Sequence, residues 1–141
     1  MNKNITLFFL ISTGLLLIVT RVFAQVSDYE KANLAFNRGD YKTSYNLIRP
    51  LAKKGFAQAQ YSLGIMYEKG KGVDLNLKKA KKWFQLAAQQ GISKAQYKLG
   101  LIYRNGQGGE KNYSKAIKWW ERAVNRGNAN ALINLRLIFE N

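Results

Sequence analysis

The chain has 141 residues, with 23 Lys and Arg against 8 Asp and Glu, for a formal charge of +15, and it contains neither Cys nor His. That composition excludes a disulfide framework, a Ser-His triad and a Cys/His zinc site, and the length bounds the chain to about one domain.

Residues 1–24 read as a secretory signal peptide. Lys3 gives a positive start, Ile5 to Val19 is an almost unbroken apolar run, and Val22-Phe23-Ala24 precedes the expected cut. The run is shorter than the roughly 20 residues that a spanning helix needs, so cleavage is favoured over an anchor. Arg21 close to the cut is the one discordant residue, and no Cys follows the run to carry a lipid. Cleavage removes Lys3 and Arg21, takes the charge from +15 to +13, and leaves no stable membrane span. The expected product is exported to the periplasm or secreted.

Residues 25–55 form a first, atypical unit. Asp28 is a plausible N-cap for a helix through Asn37, Gly39-Asp40 makes a tight turn, and a second helix starts near Tyr41. Pro50 is expected to kink or end that helix near Ile48. Next comes a unit over 56–91, with helix A at Ala57–Lys69 and helix B at Asn76–Gln90. A third covers 92–127, with helix A at Ser93–Arg104 and helix B at Asn112–Arg126. Asn76 and Asn112 are the expected N-caps, and Gly55, Gly91 and Gly127 the left-handed residues closing each helix B. Residues 128–141 are a lone helix A that caps the stack.

The second and third units repeat at a fixed period of 36 residues. Ala59, Gln60, Tyr61, Leu63, Gly64, Tyr67, Gly70, Gly72, Lys79, Ala80, Trp83, Ala87 and Gly91 recur as Ala95, Gln96, Tyr97, Leu99, Gly100, Tyr103, Gly106, Gly108, Lys115, Ala116, Trp119, Ala123 and Gly127. A unit of this size cannot bury its apolar face alone, so the units must stack. Gly64 and Gly100 fall inside helices, where Gly costs roughly 1 kcal/mol against Ala; close approach of a neighbouring helix would explain them. Arg136 replaces that Gly in the last helix. On helix B, Leu77, Ala80, Trp83, Phe84 and Ala87 share one apolar face, as do Tyr113, Ala116, Trp119, Trp120 and Ala123. The Trp residues are therefore expected in the core rather than on a nucleic-acid surface.

The pattern A-Q-Y-x-L-G-x-x-Y, then G-x-G, then K-A-x-x-W, then A and G resembles the Sel1-like repeat, a relative of the tetratricopeptide repeat. The resemblance implies an all-α fold, a right-handed alpha-solenoid of stacked helix-turn-helix units. It also implies a non-enzymatic adaptor or scaffold, without cofactor or metal, that binds a protein or peptide on a concave face lined by helix A. Carried onto this chain, that row is Gln58, Tyr61, Ser62 and Ile65, then Lys94, Tyr97, Lys98 and Leu101, with Asn130, Ile133, Asn134 and Leu137 beyond. The alternative for Tyr61, Ile65, Tyr97 and Leu101 is packing between repeats. Cys-rich members of the family have been linked to β-lactam chemistry, a carry-over that fails here for want of cysteine.

A second row is basic: Lys78, Lys79 and Lys82 on one helix B, Lys115, Lys118 and Arg122 on the next. It is either a solvated face or a patch for an anionic polymer such as nucleic acid, lipopolysaccharide or an acidic wall polymer. Gly70-Lys71-Gly72 and Gly106-Gln107-Gly108 recur with the repeat and read as turns rather than phosphate cradles. Asn112-Tyr113-Ser114 fits a glycosylation acceptor, but Asn112 is better explained as a cap.

Overall fold

The computed structural model describes residues 3–140, with side chains from Thr13 onward. Met1, Asn2 and the side chains through Ser12, all within the expected leader, lie outside the described residues, as does Asn141. The described residues form seven helices: α1 Lys3–Asn37, α2 Tyr41–Lys53, α3 Ala57–Lys69, α4 Leu77–Gln89, α5 Ser93–Asn105, α6 Tyr113–Val124 and α7 Ala129–Phe139. Each packs against the next in sequence, and α5 also touches α7. The result is an all-α repeat stack, with α3–α4 and α5–α6 as the two full units.

Capping sets where the helices begin. The Asn76 and Asn112 side chains each accept from the backbone N–H three residues on, of Lys79 and Lys115, at 2.8 Å. Asp40 caps α2 through the Thr43 N–H at 3.1 Å, and Asn128 caps α7 through the Ala131 N–H at 3.1 Å. Helix B ends share one closure. Beyond α4, Gly91 takes φ +88°, and the Ile92 N–H reaches back to the Ala87 carbonyl at 3.1 Å. This is the left-handed stop expected for Gly after a helix.

Two expectations fail in the first unit. Asp28 caps nothing, because α1 runs unbroken from the apolar segment into the first repeat helix; its carboxylate meets Lys31 at 3.5 Å instead. Pro50 does not end α2 near Ile48, and the helix continues to Lys53. Ile48, Leu51 and Ala52 around the proline are all buried, and that burial offsets the roughly 3 kcal/mol a helical proline costs.

The core falls into two adjoining clusters. One gathers Ala32, Ile48, Leu51, Ala59, Leu63 and Met66 between α1, α2 and α3. The other joins Phe84, Leu99, Ile102 and Trp120 with a set of alanines across α4 to α7. Trp120 is fully buried, while Trp83 and Trp119 are half-buried against these clusters. Tyr113 departs from the expected apolar face and is 54% exposed. It is the first residue of α6.

The intrahelical glycines have their reason in the aromatics. A Cβ on Gly64 would come within 2.6 Å of the Phe84 ring, and one on Gly100 would strike the Trp120 indole. Phe84 and Trp120 are one repeat apart. Each lies across helix A of its own unit, and the Trp120 Nε1–H donates to the Tyr97 carbonyl at 3.1 Å.

Candidate functional site

Helices α1, α3, α5 and α7 lie side by side, held by one contact repeated in different chemistry. Ser62 Oγ shares a hydrogen bond with Tyr29 Oη at 3.2 Å. One period on, Lys98 Nζ donates to both Glu68 oxygens, at 2.8 and 3.1 Å. One period further, Asn134 Oδ1 accepts from Arg104 Nη1 at 2.9 Å. Positions 62, 98 and 134 thus staple each helix A to the one before. Ser62 and Lys98, placed by sequence in a binding row, spend their polar atoms on the stack.

The rest of that row divides by exposure. Gln58 and Lys94 are exposed, whereas Tyr61, Ile65, Tyr97 and Leu101 are half-buried and pack on the second core cluster. The packing between repeats is therefore seen, and part of each side chain remains exposed. Tyr61 lies 5.7 Å from the Phe84 ring centre to centre, and burial, followed by nearby Glu68, pushes its phenol above the usual tyrosine range. Between α1, α2 and α3 a cleft of about 290 Å³ opens. Asn33, Phe36, Tyr61, Ser62, Ile65 and Lys69 line it. Sequence reasoning missed the α1 wall because the row was carried only onto the helices that became α3, α5 and α7.

The basic row is brought together differently from its order in sequence. Lys78, Lys79, Lys82, Lys115, Lys118 and Arg122 are all exposed. Lys79 and Lys82 join Arg49 and Lys53 of α2 around a cleft of about 470 Å³ that also holds Tyr45, Tyr67 and Trp83. The Lys79 ammonium sits 5.3 Å from the Tyr67 ring centre, and Lys115 and Lys81 sit 5.5 and 4.3 Å from that of Tyr103. Arg122 lies 4.8 Å from the Trp119 ring. The Tyr67 phenol is raised by its hydrogen bond with Tyr45 first and by burial second. Arg49 and Lys53 were absent from the sequence row because they belong to the unit without the clear repeat.

Among the described residues no cluster of His, Cys, Asp or Glu could hold a metal ion, and no helix is long and apolar enough to cross a membrane.

A stack of helix pairs, with Gly-closed helix B and helix A stapled to helix A, defines an α-solenoid of helical repeats. The Sel1 repeat model matches residues 57–92 and 93–128, so the chain belongs to the Sel1 repeat family. Repeats of this family generally mediate protein–protein interaction and are typically non-enzymatic. The chain resembles the crystal structure of a Sel1 repeat protein from Oxalobacter formigenes, with TM-score 0.71 and 31% identity, over 76% of this chain and 43% of that one. It also resembles c5321, a protective antigen of uropathogenic Escherichia coli with an SLR fold (TM-score 0.74, 32% identity, 79% of this chain, 25% of that one). Helicobacter pylori cysteine rich protein B matches at TM-score 0.60 and 26% identity, over 63% of this chain and 67% of that one. A stretch of 57 residues, 40% of this chain, is 39% identical to the chitin synthase regulator SKT5 of Saccharomyces cerevisiae, of which it spans 8%. The chain thus covers less than half of the first two solved structures and a small fraction of the yeast protein.

Proposed function

We propose that this chain is an exported, non-enzymatic adaptor that holds a protein or peptide partner on the helix A face. The observation that carries the reading is the cleft beside α3, where Tyr61 and Ile65 form an apolar floor and Asn33 and Lys69 a polar rim. At about 290 Å³ it sits at the small end of ligand pockets, sized for one or two side chains rather than a cofactor. Exposed Gln58 and Lys94 continue the same row and supply polar contacts along an extended partner. The test is affinity capture from a native envelope fraction with residues 25–141, followed by mass spectrometry and direct binding of the recovered protein. Recovery of no protein that binds the purified chain would reject the adaptor reading.

Export is supported by the charged start, the apolar run and Val22-Phe23-Ala24. Protein recovered from the envelope should begin at Gln25, and an intact Met1 on it would count against cleavage.

The second reading is a binder of anionic polymers. It is favoured by one observation: Arg49, Lys53, Lys79 and Lys82 ring a cleft that also presents Tyr45, Tyr67 and Trp83. Binding of this kind releases counterions and weakens steeply with salt. Affinity for heparin or single-stranded DNA that is unchanged between low and moderate salt removes this reading.

A further inference from the structure

Gln60 and Gln96 are one repeat apart and both are buried, at 5% and 4% exposure. Each donates its Nε2–H to a carbonyl near the end of the preceding helix B, Ala52 at 3.2 Å and Ala88 at 3.1 Å. That bond fixes which end of each side chain is the oxygen. In the earlier unit the oxygen is used: Gln60 Oε1 accepts from Gln90 Nε2 at 2.8 Å, and Gln90 also reaches the Gly55 carbonyl at 2.9 Å. In the later unit the residue at the position of Gln90 is Arg126. Its guanidinium lies against Gly91, so close that a Cβ there would be 2.7 Å from Cζ. Gln96 Oε1 is left buried with no partner among the described residues. A buried polar atom without a partner is costly, and in a folded protein it points to something that completes it.

Around Gln96 lies an open cleft of about 740 Å³ where the end of α4, the start of α5 and the end of α6 meet. Gly91, Arg122, Asn125 and Arg126 line it with Gln96. Arg122 and Arg126 line this space, and among the described residues no carboxylate does. Paired guanidinium forks match a planar carboxylate. Gln96 Oε1 requires a donor, which a simple anion such as acetate lacks. No aromatic side chain lines the cleft, so a base or sugar ring has no stacking platform. The last residue of a peptide chain carries a carboxylate and an amide N–H together.

We propose that this cleft captures a peptide C-terminus: Arg122 and Arg126 take the carboxylate, and Gln96 Oε1 accepts from the last amide N–H. The exposed Arg126 swings off Gly91 as the ligand enters and opens the way to the oxygen. The site is separate from the helix A face and stands whether or not that face binds a partner.

The test is an NMR titration of the full chain, following the Gln96 side-chain amide and the Gly91 backbone amide. The probes are N-acetyl-diglycine, its C-terminal amide, and acetate. N-acetyl-diglycine should shift both signals, and the other two should bind at least tenfold more weakly. Arg126→Gln rebuilds the pairing seen at Gln90, so it should fold at least as stably and lose binding tenfold or more. Lys42→Gln removes the same charge at an exposed position outside the cleft and should bind as wild type does. The proposal is overturned if N-acetyl-diglycine does not shift these signals, or if the amide or acetate binds as tightly. It is overturned equally if Arg126→Gln keeps its affinity, or if Lys42→Gln loses as much.

Discussion

At Gly100 a hydrogen atom stands where a methyl group would run into the Trp120 indole. Trp120 is fully buried and tied to the Tyr97 carbonyl, so it has no open space to retreat into. Gly100→Ala should therefore cost roughly 1–3 kcal/mol, the usual range for overpacking, read as a lower urea midpoint. Gly64→Ala should cost less, because its Cβ would approach the Phe84 ring less closely than one on Gly100 approaches the indole, and Phe84 has no hydrogen bond to lose. A midpoint for Gly100→Ala equal to wild type would remove this account. Gly108 holds φ +69° with the Leu77 carbonyl nearby, so Gly108→Ala should also cost about 1–2 kcal/mol, through backbone strain rather than packing. The repeat period made the need for a small residue at 64 and 100 legible. It could not name the atoms that fill the space, because those belong to the facing helix. The orphaned oxygen of Gln96 was invisible for a related reason. The repeat shows Gln60 and Gln96 as equivalent, and the difference between them comes from Gln90 and Arg126, thirty residues on.

Among the elements, the helices of the two full units were legible to within a residue or two, because cap, apolar face and closing Gly all point to the same ends. Asn112→Ala should cost about 1 kcal/mol, since the Lys115 N–H loses its partner at the start of α6. A thermal melt would check it, and no change would mean that water replaces the cap at no loss. The first unit was read less well. Its boundary at Asp28 rested on a polar residue after an apolar run, yet nothing between Ala24 and Tyr29 breaks a helix, so α1 continues through. The true cap there is Asp40, whose carboxyl is held below its usual range by its hydrogen bonds with Thr43. A depressed folded pKa means the cap is at full strength above the unfolded carboxylate value of about 4 and is lost as pH falls through the lower folded value. Asp40→Asn keeps an acceptor but cannot titrate. It should flatten that part of the acid limb of stability, measured by urea unfolding from pH 7 to pH 2. An acid limb identical to wild type would show that Asp40 contributes nothing to it.

Across the whole molecule, two faces are proposed for a partner, and the geometry makes the choice between them testable. The helix A face was legible as a row of positions, but its cleft was not, since Asn33 and Phe36 come from a helix outside the period. The helix B face was legible as a charge, but two of the four cations at its cleft, Arg49 and Lys53, come from the same irregular unit. A groove ligand held by anchors depends on a few residues, each costing about 2 kcal/mol or more on truncation. A polymer held by charge loses affinity in small, similar steps with each cation removed. The comparison is therefore Ile65→Ala with Lys69→Ala, which opens the helix A cleft, against Arg49→Ala with Lys53→Ala and Lys82→Ala, which discharges the other. Ile65 is half-buried, so both variants are first melted, and the binding comparison uses conditions in which each is fully folded. Binding is then measured to the protein recovered by capture, at low and moderate salt. The helix A pair should lose about thirtyfold in affinity, the equivalent of 2 kcal/mol, and the triple basic variant should stay within a few-fold of wild type at moderate salt. The opposite ranking, with steep salt dependence, rejects the groove and assigns partner binding to the basic face.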